Sequence, residues 1–216
     1  MHRPMDEHGD WLAGTSPFLT LDAINAIRFS EMVSVLEGTK DWQAIMDEDL
    51  QTRLDSQGME NISNRDSIPW DDATLLFTAC VDLGRRGEGA TLHAGVSNER
   101  FGRFPYGDGS PLTYLMEWIR PSAKDSEYFE TILSHIDYLR NRIPESMKNG
   151  IGGLELRGWL NIEEIKTLRM AITSRRWIPA ADEPLDGGCH DAAKHLLALL
   201  RAAEKRRVGV LLRAHS

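Results

Sequence analysis

The sequence predicts a mostly helical α+β fold, with about six or seven helices and a small sheet of short strands toward the C-terminal half. Three observations carry that reading. Apolar residues recur at helical spacing in several capped segments, Leu154–Arg157 and Val208–Leu212 alternate or run apolar as short strands do, and six tryptophans (11, 42, 70, 118, 159 and 177) draw the whole chain into one core. The chain is 216 residues long, 41% hydrophobic and 27% charged, which excludes disorder and a coiled-coil rod. A single domain spanning residues 1–216 is expected, burying roughly 70% of the unfolded surface.

Residues 1–18 are polar, contain Gly9, Gly14 and Pro17, and read as an N-terminal arm. Thr20 is placed to cap a helix to about Glu37, on which Leu21, Ile24, Ile27, Met32, Val35 and Leu36 share a face, and Gly38 ends it. Thr39 is placed to cap a second helix that aligns Trp42, Ile45, Met46, Leu50 and Leu54. Residues 20–56 therefore read as an acidic helical hairpin. A loop rich in Ser, Asn, Gly and Asp covers 56–68. Pro69 followed by Asp71 and Asp72 marks a helix start, with Leu75, Leu76, Ala79, Cys80 and Leu83 inward. The run 74–81 also suits a buried strand, and helix is favoured.

Seven glycines fall within residues 84–110, a density that demands turns and close backbone approaches, with a short strand expected at Ala90–Val96. A long irregular segment inside a compact domain is more often functional than filler. Ser110-Pro111 opens a helix to Ile119. Ser126 opens another with the clearest stripe in the chain, Phe129, Ile132, Leu133, Ile136, Leu139 and Ile143, before Pro144 stops it. Asn149–Gly153 is a turn and Leu154–Arg157 a strand. Asn161 and Glu164 make a capping box for a helix that turns Ile162, Ile165, Leu168 and Ile172 inward. Residues 174–188 read as a loop, Asp191–Lys205 as the last helix, and Val208–Leu212 as a strand beside 154–157.

The net charge is −8, unevenly placed: residues 1–60 hold 12 acids and 4 bases, whereas residues 194–216 hold 1 acid and 6 bases. An acidic front repels phosphates and argues against general nucleic-acid binding. The pairs Arg175-Arg176, beside Trp177, and Arg206-Arg207 are the minor candidates for such contacts. No apolar run approaches the ~20 residues that span a bilayer, and the N-terminus carries acids where a signal peptide is apolar, so a soluble cytoplasmic protein with no membrane partner is expected. Cys80 and Cys189 are read as free thiols rather than a bridge.

No assembled catalytic set is visible, and no motif asks for a cofactor. His190 and His195 stand five apart and diverge round a helix, against the four-residue step of a zinc pair, so no metal is assigned; Asp191 and His195 are spaced to meet. Ser134, His135 and Asp137 carry the letters of a triad but share one helix, where they cannot converge. The Gly-rich segment matches no phosphate-loop pattern. The largest coherent feature is the ridge of Asp41, Asp47, Glu48, Asp49 and Asp55 on the second helix.

The expected function is therefore that of a non-enzymatic, acidic protein-binding protein, of the kind that neutralises a basic partner as an immunity protein or inhibitor does. The alternative is an enzyme or small-anion-binding protein built on the 84–110 segment. Arg85, Arg86, Arg100 and Arg103 would then hold an anion while His93 moves a proton.

Overall fold

The structure, a computed structural model, describes residues 18–59, 61–84, 89–90, 92, 101, 104–122 and 127–215. The elements are β1 (Phe18–Ile24), α1 (Ala26–Leu36), α2 (Glu48–Asp55), α3 (Asp72–Cys80), α4 (Pro111–Trp118), β2 (Ile119–Pro121) and α5 (Glu127–Asn141). They continue with β3 (Asn149–Gly150), β4 (Leu154–Leu160), α6 (Ile162–Thr173), β5 (Trp177–Pro179), α7 (Gly188–Arg206) and β6 (Gly209–His215). The fold is α+β and mostly helical.

One antiparallel sheet runs β1-β6-β4-β3, and β2 pairs antiparallel with β5 in a second, two-stranded sheet. The first and last strands lie side by side, with Leu21 opposite Leu212. Helices cover both faces of the larger sheet. Leu19, Leu21 and Ala23 of β1 and Val210, Leu212 and Ala214 of β6 pack against α4, α5, α6 and α7. Ile24, Leu211, Leu156 and Trp159 pack against α1, α2 and α3. The sheet is thus the middle of three layers.

The main departure from the sequence reading is at the first strand. Residues 18–24 are a strand, and the helix expected from Thr20 begins only at Ala26, with Asn25 accepting from the Arg28 N–H at its cap. Residues 19–23 do alternate, with Leu19, Leu21 and Ala23 on one face and the buried Thr20 and Asp22 on the other, but Leu21 and Ile24 also continue the helical spacing of α1, and that longer period masks the short alternation. The expected hairpin over 20–56 is instead a strand, a helix, a 3-10 turn at Trp42–Ala44 and a second helix. Thr39 caps neither of the latter two. Its hydroxyl donates to the Ser34 carbonyl at the end of α1, while Asp41 caps the turn and Asp47 caps α2. Gly38 does end α1, with φ +73.

Other elements fall where the spacing puts them. Ser110 caps α4 with Pro111 at its start, Asp71 caps α3, and the Asn161–Glu164 capping box opens α6. The strand 154–157 extends to Leu160 and pairs with β6. Residues 174–188 hold β5 within the expected loop, and α7 starts at Gly188. The expected Ser126 cap, the arm at 1–18 apart from Phe18, which opens β1, and most of the strand at 90–96 lie outside the described residues.

Two buried features fix the sheet. Asp22, fully buried, accepts from Arg213 Nε at 2.7 Å and Nη2 at 3.2 Å, joining β1 to β6 on the α1–α3 side. The Arg213 guanidinium also lies 4.8 Å from the Phe77 ring centre. On the other side, β4 meets α5 at Gly158, where a Cβ would run into the Tyr138 carbonyl and the Leu139 backbone. The register of β4 against β6 shifts between Leu156 and Gly158, which leaves Arg157 as the extra residue of a bulge.

Removing one partner from a buried ion pair leaves an uncompensated charge and typically costs about 3–5 kcal/mol. Arg213→Met should therefore lower the unfolding free energy by about that much in a urea titration. A loss under about 1 kcal/mol would show that the pair does not hold the strands.

Candidate functional site

The structure separates the five acids of the predicted ridge. Arg28, buried on α1, donates from Nη2 to Asp47 at 2.8 and 3.0 Å and from Nη1 to Asp49. Asp47 also accepts from the Leu50 N–H at 2.7 Å. That backbone bond, with Arg28 behind it, holds the Asp47 carboxyl below the usual carboxylate range. Two of the five charges are thus engaged within the fold. Asp41 caps its turn through the Gln43 N–H. Asp41, Glu48 and Asp55 are exposed, with no ion pair among the described residues.

The alternative residues Arg85, Arg86, His93, Arg100 and Arg103 lie outside the described residues. Around them, Leu83 and Gly89 form an antiparallel bridge, and Gly89 sits so close to Asp22 that a Cβ would collide with its carboxylate. Arg206 donates to Asp82 at 2.7 Å and to the Leu92 carbonyl at 2.9 Å.

The remaining sequence candidates do not assemble. Ser134 Oγ lies 3.3 Å from His135 Nδ1, but it donates to the Thr131 carbonyl at 3.1 Å, His135 Nδ1 lies 2.9 Å from that same carbonyl, and Asp137 is taken by Asn141, so no triad forms. Cys80 and Cys189 are free and buried, and burial pushes both thiols up to about 12, so neither is an activated thiolate. The Glu183 carboxylate reinforces the shift at Cys189. No grouping of three or more His, Cys, Asp or Glu suited to a metal occurs among the described residues.

What the fold does build is a groove of about 740 Å3 between the end of α6, β5 and the outer face of α7. Ile172, Trp177, Ile178, Ala193 and Leu197 give it an apolar floor and wall, and Ile178 is half exposed. Arg175, Lys194 and Arg201 ring it, with His190 beside Trp177, and no carboxylate lines it. All three cations are exposed and make no ion pair among the described residues. The Trp177 indole N–H donates to the Ile172 carbonyl at 2.9 Å, which fixes the ring, and the His190 ring centre lies 5.6 Å away.

Local structure places each of these groups. His190, Lys194, Leu197 and Arg201 follow one another at steps of four, three and four, so they share one stripe of α7. Lys194 and Arg201 then stand roughly 10 Å apart along the helix. Arg175 follows the end of α6 in the left-handed region at φ +57, a conformation where a non-glycine residue costs about 1 kcal/mol or more. Arg207 does the same beyond α7, so strain alone does not single out Arg175.

The sequence reading took Arg175-Arg176 and Arg206-Arg207 as pairs. The fold divides them: Arg176 stacks 4.7 Å from the Tyr128 ring centre and Arg206 binds Asp82, which leaves Arg175 to the groove. The signal that could have found the site is the cationic stripe 190–194–201. Its other wall depended on β5, which the sequence reading placed in a loop.

Capping side chains at helix starts are typically worth about 1 kcal/mol, up to about 2. Asp47→Ala should therefore cost about 1–2 kcal/mol at pH 7, and Glu48→Ala less than about 0.5. Because the folded Asp47 carboxyl titrates below its unfolded value, its contribution is fully present above about pH 4 and fades as pH falls through the lowered folded value. Urea titrations of both variants at pH 7 and pH 3 check this; equal losses for the two at pH 7 would contradict it. The chain matches no protein-family model, no curated protein and no solved structure, so the functional reading of the groove rests on its geometry.

Proposed function

We propose that the protein is a binding protein that takes a small planar phosphorylated anion, of nucleotide chemistry, in the groove between β5 and α7. The observation that carries this reading is the convergence of Arg175, Lys194 and Arg201 on one apolar groove in a chain of net charge −8. Several other arginines find carboxylates: Arg28, Arg65, Arg142, Arg169 and Arg213 are all paired. Cations grouped round a concave low-dielectric wall focus a positive potential there. Phosphate oxygens accept charge-assisted bonds from such groups, and an immobilised indole offers a stacking face worth about 1–3 kcal/mol to a base. The volume of about 740 Å3 lies within the range of small-molecule clefts, ~300–1,000 Å3. The negative total favours a small ligand over a long nucleic-acid strand, which would bring its phosphates against the acidic faces.

Isothermal titration with adenosine and guanosine 5′-phosphates tests this reading. Binding is expected in the wild type, weakening as salt rises. The double variant Lys194→Met/Arg201→Met, which changes two exposed residues, should lose at least about tenfold in affinity, near 1.4 kcal/mol. Absent binding, or binding unchanged in the double variant, would reject the reading. Much tighter binding of a single-stranded oligonucleotide than of its mononucleotide would reassign the ligand.

A second reading rests on Asp41, Glu48 and Asp55, exposed and without ion pairs among the described residues. Through them the protein would hold a basic protein partner, as a neutralising inhibitor does. A partner retained at low salt and released at high salt should then be lost from Glu48→Lys/Asp55→Lys and kept by the groove variant. Retention by both variants would reject it.

A further inference from the structure

We infer that a second anion site, separate from the groove, lies in the polar cavity between the start of α4, the end of α5 and the bulge of β4, and that it takes one tetrahedral oxyanion of the size of inorganic phosphate. The cavity measures about 60 Å3, with Leu19 and Leu212 as its apolar wall and Ser110, Asp108, Arg140 and Arg157 among its polar groups. A single water occupies about 10–15 Å3 on this measure, so the space suits about four to six waters or one five-atom oxyanion.

Two arginines meet here in an unusual state. Arg140 has no carboxylate partner among the described residues; its recorded polar contact is from Nη1 to the Met116 sulfur at 3.2 Å. Arg157 pairs through Nη2 with Glu155 at 2.8 Å, but its Nε–H is buried and has no partner. A buried donor left unmet is costly, and a buried guanidinium donor more so. Ser110 is buried, and its Oγ accepts the Thr113 N–H at 3.3 Å, which leaves its hydroxyl hydrogen unused among the described residues. An oxyanion in the cavity would accept from the Arg140 guanidinium and the Ser110 hydroxyl, with the Arg157 guanidinium supplying a second positive charge at the wall, since its Nε is itself closed to a group the size of water. The one acid of the lining, Asp108, is already occupied. It accepts the Ser110 N–H at 3.0 Å and the Thr113 hydroxyl at 2.9 Å, and its remaining lone pairs suit the proton of a hydrogen phosphate.

The backbone creates this arrangement. Arg157 is the extra residue of the β4 bulge, and bulges re-aim side chains beside sites. Its neighbour Gly158 lets the α5 backbone touch β4, which brings the Arg140 end of α5 up to the bulge. The site draws on none of the groove residues, so the two readings stand or fall separately.

Equilibrium dialysis against radiolabelled inorganic phosphate at low millimolar concentration and constant ionic strength tests the inference. One equivalent is expected to bind the wild type, with sulfate competing and chloride not. Lys194→Met/Arg201→Met should retain that equivalent, whereas Arg140→Met should lose at least tenfold in affinity. Arg157→Met removes the second charge at the cavity wall and should weaken binding by a similar factor. It also guards against an Arg140 variant that fails to fold, which far-ultraviolet circular dichroism reports. Stoichiometry near zero, or binding equally strong in both arginine variants, means a cavity filled by water only and overturns the inference.

Discussion

The bidentate contact of Arg213 with Asp22 holds the two ends of the described chain in one sheet. Closing a loop between residues 191 apart in sequence is entropically slow and unfavourable until many contacts form at once. The β1–β6 ladder supplies those contacts, and the ion pair selects its register. A slip of one residue would carry Arg213 from the side of Phe77 to the apolar layer beneath α4–α7, where nothing would pair it. The pair also reaches beyond the sheet. Gly89 packs on the Asp22 carboxylate, and Arg206 at the end of α7 ties down Asp82, so the beginning of the glycine-rich segment is pinned by charges belonging to the first strand and the last helix.

Several arginines lie against a carboxylate that the fold brings from elsewhere. Arg65 reaches Asp72, Arg142 reaches Glu164 while stacking on Trp159, and Arg169 reaches Glu204. Asp47 and Asp49, which looked like free surface charge, are the partners of Arg28. Total charge therefore says little about what the surface offers. The groups that remain unpaired say more, and they gather in places that the −8 total would not suggest. Three cations ring a hollow beside Trp177, and Arg140 lines a small polar cavity beside α5.

Legibility in the sequence followed how local the determining physics was. The α6 capping box, the Ser110-Pro111 start of α4 and the Ile132–Ile136–Leu139 stripe of α5 depend on neighbours within one or two turns, and all three were readable. The strand β1 was not, because its short alternation, Leu19-Thr20-Leu21-Asp22-Ala23, runs straight into the helical spacing of α1, and only the distant Arg213 shows why a buried Asp22 belongs in it. Thr39 reads as a cap, but its hydroxyl is taken by the Ser34 carbonyl at the end of α1, and Asp41 caps the turn instead. Nothing in the letters around Arg157 announces a bulge, since the extra residue exists only relative to β6 across the ladder. The groove was half readable: the stripe on α7 is local, whereas Arg175 and Trp177 arrive from a chain reversal after α6. The five acids are close in sequence, but spacing could not show that Arg28, 19 and 21 positions earlier, would claim Asp47 and Asp49.

The two candidate sites share a rigid support, and that bears on what kind of ligand each could hold. The Tyr114 hydroxyl on α4 donates to Glu183 at 3.0 Å and accepts the Leu185 N–H at 3.2 Å, while Glu183 accepts the Cys189 N–H at 2.5 Å at the start of α7. Burial, with the nearby carboxylate, pushes the Tyr114 phenol above its ordinary value, so it remains the donor across the physiological range. Gly188 is packed so closely on that ring that any side chain there would displace it. The helix that presents Ser110 to the cavity is thus bolted to the helix that presents Lys194 and Arg201 to the groove. The cations themselves are a different matter: Arg175, Lys194 and Arg201 are exposed, and each would lose rotamer freedom on holding a ligand, at about 0.5–1.5 kcal/mol apiece. A compact anion that engages all three at once offsets that cost better than a ligand that meets them one at a time.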